Sequence, residues 1–499
     1  MSRKNKFVLA IDQGTSGTKA IVFDEAANLV CKASEPLDSI FLDHAWVEQG
    51  PEEIYINVIR SIEKCLEKFL KLGYPKRAIT CIGISNQRET FVVWDKSGNP
   101  LYNAISWQCK RSIKICEKIK ENSILKEDIK KKTGLIVDPY FSGSKLIWLN
   151  ENHQGVKNAI SNREAYFGTI DTWLLHKLTR GSSYYTDYTN ASRTLFFNLH
   201  DLNWDRELLE AFNLENLKLP ELKPSSFHFG ETDCEGLFDS KIPITGMIGD
   251  SHAAAFGEGC LSPGSAKATL GTGCSIMMNI GSVFKPSNQG MVTTICWSTE
   301  NRVDFAMEGI IVSCGSTIEW LKNELALFSQ SEETEGMAKS VPDNAGVYII
   351  PSFSGLGAPH WQMERKASIS GLTFGSNKNH IVRAALESIP YQIKDVVTAM
   401  EQDAGIELDQ LMVDGGISSN RFVLEFLSTL LEKQINTLKM HDVSSLGAGL
   451  LAGLKTGIFK DLEEIRNLNK TNEVILPGMD KDEIKAHYEG WKKALNNYD

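Results

Sequence analysis

Short apolar runs broken by glycine, serine and threonine set the pattern at the start of the chain. Phe7–Ile11 and Ala20–Phe23 are apolar, and Asp12-Gln-Gly14-Thr15-Ser16-Gly17-Thr18-Lys19 lies between them. Runs of this length bounded by turn formers predict two buried strands joined as a hairpin. Asn28–Lys32 extends the hairpin to a meander. Pro51–Leu70 sets Ile54, Val58, Ile62, Leu66 and Leu70 four residues apart, which predicts a helix. Ala78–Ile84 reads as another buried strand and runs into Ser85-Asn86-Gln87-Arg88-Glu89-Thr90. Phe91–Trp94 is a further strand, closed by the turn Asp95–Pro100, and Ala104–Arg111 leads into a basic, solvated helix. Thr133–Ser142 is a loop entering a helix, and Phe167–Leu175 a strand that passes into a capped helix. Strands joined by helices in this order are α/β.

Leu219–Asp239 is rich in proline, glycine and acids and carries no clear period, so a domain boundary is expected just after it, giving domains 1–247 and 248–499. Beyond it, Ile244–Gly249 leads to Asp250-Ser251-His252. Ala266–Leu270, Gly271-Thr272-Gly273 and Cys274–Asn279 then repeat strand, tip and strand, the opening hairpin in degenerate form. Such a recurrence points to two halves of related fold; a chance match of short Gly-Thr strings is the alternative. Asn379–Met400 is the longest amphipathic segment, with Pro390 expected to kink it. Leu411–Asp414 is a strand, Gly415-Gly416 a turn and Asn420 a helix start. Leu446–Phe459 is too short to span a membrane, and its glycines and alanines would let a helix lie close on a sheet.

A chain of 499 residues exceeds one ordinary core and agrees with two domains. Apolar content of 42% and charged content of 23% are those of a soluble globular protein. The net charge of −10 argues against a nucleic-acid surface. No apolar run is long enough for a transmembrane helix. The Met1–Lys6 start resembles a signal n-region, but Asp12 cuts the following apolar run short, so that run reads as the first strand. The ten cysteines are scattered with no Cys-x-x-Cys pair, which fits a reducing, cytoplasmic setting better than a disulfide frame or a zinc site.

The insert between the first two strands is longer than a tight turn needs. Its glycines let backbone N–H groups turn inward and its hydroxyls add donors, a nest suited to phosphate oxygens. Asp12 at the strand end could hold a hydrated Mg²⁺ against such phosphates. On this segment alone, an ordinary Gly-rich hairpin explains the pattern equally well. No Gly-x-x-x-x-Gly-Lys-[Ser/Thr] occurs, which excludes a P-loop enzyme.

Two longer signatures change that balance. Tyr140-x-Ser142-x-x-Lys145-Leu-x-Trp148 is one; Ala367-x-Ile369-x-Gly371-Leu372 followed by His380-Ile381-x-x-Ala384-Ala385-Leu386-Glu387 is the other. Both resemble the FGGY carbohydrate kinases, and the resemblance runs from Lys6 to about Lys493. Within that family, Ser85–Thr90, Trp107-Gln108-Cys109, Asp138–Ser142, Asp187–Thr194 and Gly355–Trp361 are similar to the glycerol-kinase branch. The resemblance implies an actin/hexokinase-like, RNase H-type fold of two domains around a central catalytic cleft. It implies ATP and Mg²⁺ as cofactors, a small polyol or sugar acceptor, and assembly as a homodimer or homotetramer. By resemblance Asp250 is the general base, and Arg88, Glu89, Trp107, Tyr140, Ser251 and Ser275 line the acceptor site. Thr15, Ser16, Gly17 and Lys19 match the first phosphate loop and Thr272 the second. Gly315, Glu319, Gly416 and Asn420 match nucleotide contacts, and Asp12 the magnesium position.

Four positions depart from the glycerol-kinase pattern. Lys19 stands where arginine is usual, which keeps the charge and loses the bidentate fork. Ser251-His252 replaces Gln-Gln after the base, and Ser275 replaces a phenylalanine. The two serines make room and add hydroxyls, as a tetritol, pentitol or ketopentose would need, whereas His252 reads more readily as a structural histidine. The expected reaction is ATP-dependent phosphorylation of a terminal hydroxyl of glycerol to glycerol 3-phosphate. A kinase for a longer polyol or ketose is the alternative; an actin-like ATPase has no need of Arg88, Glu89, Trp107 and Tyr140.

Overall fold

The computed structural model describes residues 6–42, 45–468 and 471–497; the Met1–Asn5 part of the signal-like start lies outside them. The first half builds its sheet from β1 (Phe7–Gly14), β2 (Gly17–Phe23), β3 (Leu29–Pro36), β4 (Ile79–Asn86), β5 (Ser226–Thr232) and β6 (Ile242–Gly249). The second half uses β7 (Ser265–Leu270), β8 (Cys274–Gly281), β9 (Val292–Thr299), β10 (Arg302–Ile311), β11 (Gln410–Asp414), β12 (Ile435–Leu438) and β13 (Thr471–Ile475). The strands form one sheet in the order β13-β12-β11-β7-β8-β10-β9-β5-β6-β4-β1-β2-β3.

Each half repeats one plan. β3-β2-β1 is an antiparallel meander whose first strand pairs in parallel with β4, and β4 with β6. In the second half β10-β8-β7 is antiparallel, β7 pairs in parallel with β11, and β11 with β12. An antiparallel strand closes each half, β5 beside β6 and β13 beside β12. This is the expected RNase H-type arrangement, doubled. The two Gly-rich tips, between β1 and β2 and between β7 and β8, therefore occupy equivalent places. The halves meet where β5 touches β9 through the single parallel pair Ser226–Thr299.

β5 lies inside Leu219–Asp239, the segment whose sequence carries no clear period. Its Ser-Phe-His-Phe-Gly pattern alternates weakly and is broken by Gly230 at φ 152°, so no period-2 signal stood out.

Helix α1 (Pro51–Lys71) starts as its pattern predicts, with Ile54, Val58, Ile62 and Leu66 buried, but Leu70 is 44% exposed and Phe69 takes its place inside. Four-residue steps overshoot a turn by about 40° each, so a strict four-residue stripe rotates out of the core. Helix α2 (Ser142–Asn152) follows the loop that the sequence predicts before it, and α3 (Asp250–Gly257) begins directly where β6 ends. Helix α4 (Gly315–Asn323) follows β10, and α5 (Lys378–Ala404) runs unbroken through Pro390. Helices α6 (Arg421–Leu431) and α7 (Val443–Thr456) complete the second half.

The small residues of α7 act as expected, yet the sheet they approach belongs to the other half. A Cβ on Gly83 of β4 would strike the Ala448 carbonyl, and one on Gly447 would strike the Ala253 carbonyl of α3. Ala10, Phe23, Ile248, Phe256, Ala448 and Leu451 share one buried cluster, so the halves are joined by an apolar seam. All ten cysteines are free and buried. Among the described residues no helix is long and apolar enough to cross a membrane.

Candidate active site

The first tip is held from below. Gln87 Nε2 donates to Gln13 Oε1 at 3.1 Å and Gln49 Oε1 at 2.8 Å, while Gln49 Nε2 donates to the Thr15 carbonyl at 2.7 Å. Thr15 Oγ1 accepts from Trp107 Nε1 at 2.8 Å, which ties the tip to the acceptor wall. Ser16 is exposed at the tip, and a Cβ on Gly17 would lie 2.7 Å from the Glu35 carbonyl. Lys19, in β2 opposite Asp12, turns its Nζ to Asp442 Oδ1 at 2.9 Å; Lys32 meets the other oxygen of Asp442, also at 2.9 Å. Against the cost of burial, the Asp442 carboxylate holds the Lys19 ammonium above its ordinary pKa.

Asp12 pairs in register with Ser85 of β4 as well as Lys19. Burial, opposed by Lys19 and reinforced by the charge of Asp250, pushes its carboxyl up to about 6. Asp12 ends β1 and Asp250 follows β6, the two strands that flank β4, so both acids lie on one rim of the first half, where a divalent cation would relieve their repulsion. Hard oxygen donors in small number suit a hydrated Mg²⁺ that takes its remaining ligands from water and phosphate. Among the described residues no group of three or more His, Cys, Asp or Glu forms a protein-only metal cage.

The acceptor wall assembles from six segments. The chain turns sharply after β4, with Thr90 N–H bonded to the Arg88 carbonyl at 2.6 Å and Glu89 in the left-handed region at φ 59°. A glutamate there is strained, and the turn sends Arg88 and Glu89 to opposite partners. Arg88 Nε lies 3.3 Å from Asp250 Oδ1, its Nη2 donates to Glu308 Oε1 at 2.9 Å, and the same Nη2 is 3.5 Å from the Tyr140 hydroxyl. Glu89 accepts from Arg193 Nε at 2.6 Å. Arg193 Nη2 also stands 2.8 Å from Glu308 Oε2, a close ion contact outside hydrogen-bond alignment. Trp107 and Tyr140 meet edge to face with centroids 5.6 Å apart. Arg88 Nη1 and Arg193 Nη1 are buried without hydrogen-bond partners among the described residues. Buried donors of this kind are open to an acceptor supplied from outside the chain.

Glu308 and Arg193 were not singled out from sequence. Burial works against the Glu308 carboxylate, but Arg193 and Arg88 hold its pKa far below the ordinary range, so it is the fixed anion of the wall. The signal that could have found it is a lone acid inside the apolar strand Phe305-Ala-Met-Glu308-Gly-Ile. Asp250 begins α3 and its side chain is 37% exposed, open to an incoming hydroxyl. Ser251 lies in the first turn of α3 and its N–H donates to Asp250 Oδ1 at 2.6 Å. Ser275 Oγ donates to Glu308 Oε1 at 3.4 Å. His252 is fully buried, with Nε2 3.4 Å from Thr294 Oγ1 and no partner for Nδ1 among the described residues. Burial, then Arg88 and Arg193, keep it well below its ordinary pKa and neutral.

The second tip is locked to α4. Gly315 N–H donates to the Gly271 carbonyl at 2.9 Å and Ser316 N–H to the Thr272 carbonyl at 3.1 Å. Gly415, at φ 92°, passes so close to Leu270 that a side chain would collide, whereas a Cβ on Gly416 would meet nothing. Gly416 thus presents bare backbone beside the tip. Asn420 caps α6 and donates to Thr334 Oγ1 at 3.2 Å; Thr334 Oγ1 donates to the Ser331 carbonyl, and Ser331 Oγ donates to the exposed Glu319 at 3.3 Å. Thr272, Gly315, Glu319, Gly416 and Asn420 therefore form one continuous wall in the second half.

Comparison with known proteins agrees with this layout. Residues 7–257 match the N-terminal domain of the FGGY family of carbohydrate kinases, and residues 266–456 match its C-terminal domain. A glycerol kinase of Thermoanaerobacter sp. is 44% identical over 491 residues, covering 98% of each chain. Glycerol kinase 2 of Thermotoga maritima is 44% identical over 492 residues, again covering 98% of each. The crystal structure of Plasmodium falciparum glycerol kinase with ADP superimposes with a TM-score of 0.94 at 36% identity, covering 98% of both chains. The chain belongs to the FGGY family of carbohydrate kinases and is a phosphotransferase of that family.

Proposed function

We propose that the protein transfers the γ-phosphoryl group of ATP to a terminal hydroxyl of glycerol, giving glycerol 3-phosphate and ADP. One observation carries the reading: Arg88 joins Asp250 at 3.3 Å to Glu308 at 2.9 Å, its Nη2 lies 3.5 Å from the Tyr140 hydroxyl, and its buried Nη1 has no hydrogen-bond partner among the described residues. A base, a hydroxyl-binding fork and an aromatic wall thus converge on one small polyol. Arg88 donates to acceptor hydroxyls, Glu89 accepts from them, and Trp107 and Tyr140 cover the carbon edge. Asp250 takes the proton of the attacking hydroxyl as its oxygen bonds to the γ-phosphorus and the bond to the β-phosphate oxygen breaks.

Thr15, Ser16, Gly17 and Lys19 bind phosphate from the first half, and Thr272 from the second. Gly315, Glu319, Gly416 and Asn420 hold the nucleoside. Asp12 would hold a hydrated Mg²⁺, which neutralises phosphate charge when bound. This division of labour supports a boundary near 247/248, with acceptor residues mainly before it and nucleoside residues after it. The exposed edge strand Ile40–Leu42, with Phe41 76% exposed, supports assembly as a homodimer or homotetramer. The ten free buried thiols support a cytoplasmic setting.

A second reading, a tetritol, pentitol or ketopentose as acceptor, is favoured by Ser275, whose small side chain lies against Glu308 where a phenylalanine would close the wall. An ATP-coupled screen over glycerol, erythritol, pentitols and ketopentoses tests both. Turnover highest on glycerol supports the first reading, turnover on longer acceptors alone replaces it by the second, and ATP consumption indifferent to every acceptor overturns both.

A further inference from the structure

One face of α2 gathers three main-chain carbonyls, and each belongs to a residue of the acceptor wall. Ser142 Oγ donates to the Glu89 carbonyl at 2.7 Å. Lys145, three residues on and so on the same side of the helix, directs Nζ to the Tyr140 carbonyl at 2.8 Å and the Trp107 carbonyl at 3.4 Å. Lys145 is wholly buried, and no carboxylate stands within ion-pair distance of it among the described residues. A buried ammonium without a counter-ion is costly, and a methionine would fill the same space without that cost. What the ammonium adds is a pair of charge-assisted bonds to the backbone behind the two aromatic walls.

We infer that Lys145 is the positioning residue of the acceptor pocket, fixing the Trp107–Tyr140 wall through their carbonyls, and that its charge state sets acceptor affinity. The inference rests on the acceptor site proposed above. Desolvation by burial lowers the pKa of Lys145 to about 8, against the support of Glu89, Cys109, Asp138 and Cys116, the groups that face it. The Cys116 thiol is pushed up to about 11 by its own burial, and the Tyr140 hydroxyl lies higher than its ordinary value, so neither loses its proton in the same range. A lysine with a lowered pKa is charged below it, so the clamp is complete near pH 7 and weakens as pH rises through about 8.

The test is steady-state kinetics with both substrates varied, on the unmodified enzyme and on Lys145→Met. For the unmodified enzyme, acceptor KM should rise about threefold to tenfold between pH 7 and 9.5 while nucleotide KM stays level, because charge-assisted bonds are roughly twice as strong as neutral ones. Lys145→Met should raise acceptor KM about tenfold at pH 7, one net hydrogen bond's worth, leave nucleotide KM unchanged, and flatten the pH dependence. A purely structural lysine would lower the active fraction without moving either KM. If the variant does not fold, the pH series on the unmodified enzyme decides alone. A pH-independent acceptor KM, or a dependence that survives in Lys145→Met, overturns the inference while leaving the proposed reaction intact; absence of phosphoryl transfer by the unmodified enzyme overturns the reaction itself.

Discussion

Replacing Glu308 by glutamine tests whether the acceptor wall is held by its buried charge balance. The substitution keeps the volume and removes the anion that Arg88 contacts at 2.9 Å and Arg193 at 2.8 Å, all three side chains being almost fully buried. Each charge-assisted bond contributes about 1.5–3 kcal/mol, and breaking a buried ion pair from one side costs about 3–5 kcal/mol because the remaining charge stays buried. With Glu89 still compensating Arg193 and Asp250 still near Arg88, we expect the lower end, about 3 kcal/mol. That corresponds to roughly a hundredfold shift in the unfolding equilibrium. Urea unfolding should show it as a lower midpoint at pH 7. Arg88 loses its strongest anchor, so acceptor KM should rise about tenfold with little change for nucleotide.

The sign with pH follows from the depressed pKa of Glu308. Its stabilisation is present above the ordinary carboxyl value of 4.5 and is lost as pH falls towards the folded-state value. The gap between the wild type and Glu308→Gln should therefore be full at pH 7 and shrink below about pH 4.5. A variant with the wild-type midpoint and acceptor KM would refute the reasoning.

Three further outcomes are expected. Asp12→Ala should cripple the Mg²⁺ dependence of turnover while acceptor binding to the free enzyme, measured by calorimetry, survives; an unchanged Mg²⁺ titration would remove its metal role. Small-angle scattering should show contraction when nucleotide and acceptor are added together, since closing the halves excludes water from the phosphoryl group; identical profiles would count against closure. Ser275→Phe should reduce turnover on any longer acceptor more than on glycerol, and equal losses would end the case for an enlarged pocket.

What could be read from the chain was what is encoded locally. Both Gly-rich tips declare themselves within a few residues, because glycine and hydroxyl spacing is itself the structure, whereas Asp250 and the Arg88-Glu89 pair stand out only through the resemblance to the FGGY family. Partners set by tertiary packing were not legible. Glu308 finds Arg88 across 220 residues, and Asp442 finds Lys19 across 423, so neither pairing leaves a trace in a window of sequence. The small-residue face of α7 was readable as a close-packing helix, yet nothing local says that its sheet is the one in the other half. The role of Lys145 was hidden for another reason: its partners are main-chain carbonyls, which every residue carries.

In the proposed reaction Asp250 takes the proton from a terminal hydroxyl of a small polyol as that hydroxyl attacks the γ-phosphorus of ATP. Phosphorus NMR on purified protein with ATP, Mg²⁺ and glycerol, run beside Asp250→Asn, tests it most directly. The unmodified enzyme should produce glycerol 3-phosphate in step with ADP, and Asp250→Asn should bind ATP normally yet form product about 10²–10⁴-fold more slowly, the usual contribution of a general base. Release of inorganic phosphate without glycerol 3-phosphate, or an undiminished rate in Asp250→Asn, would contradict it.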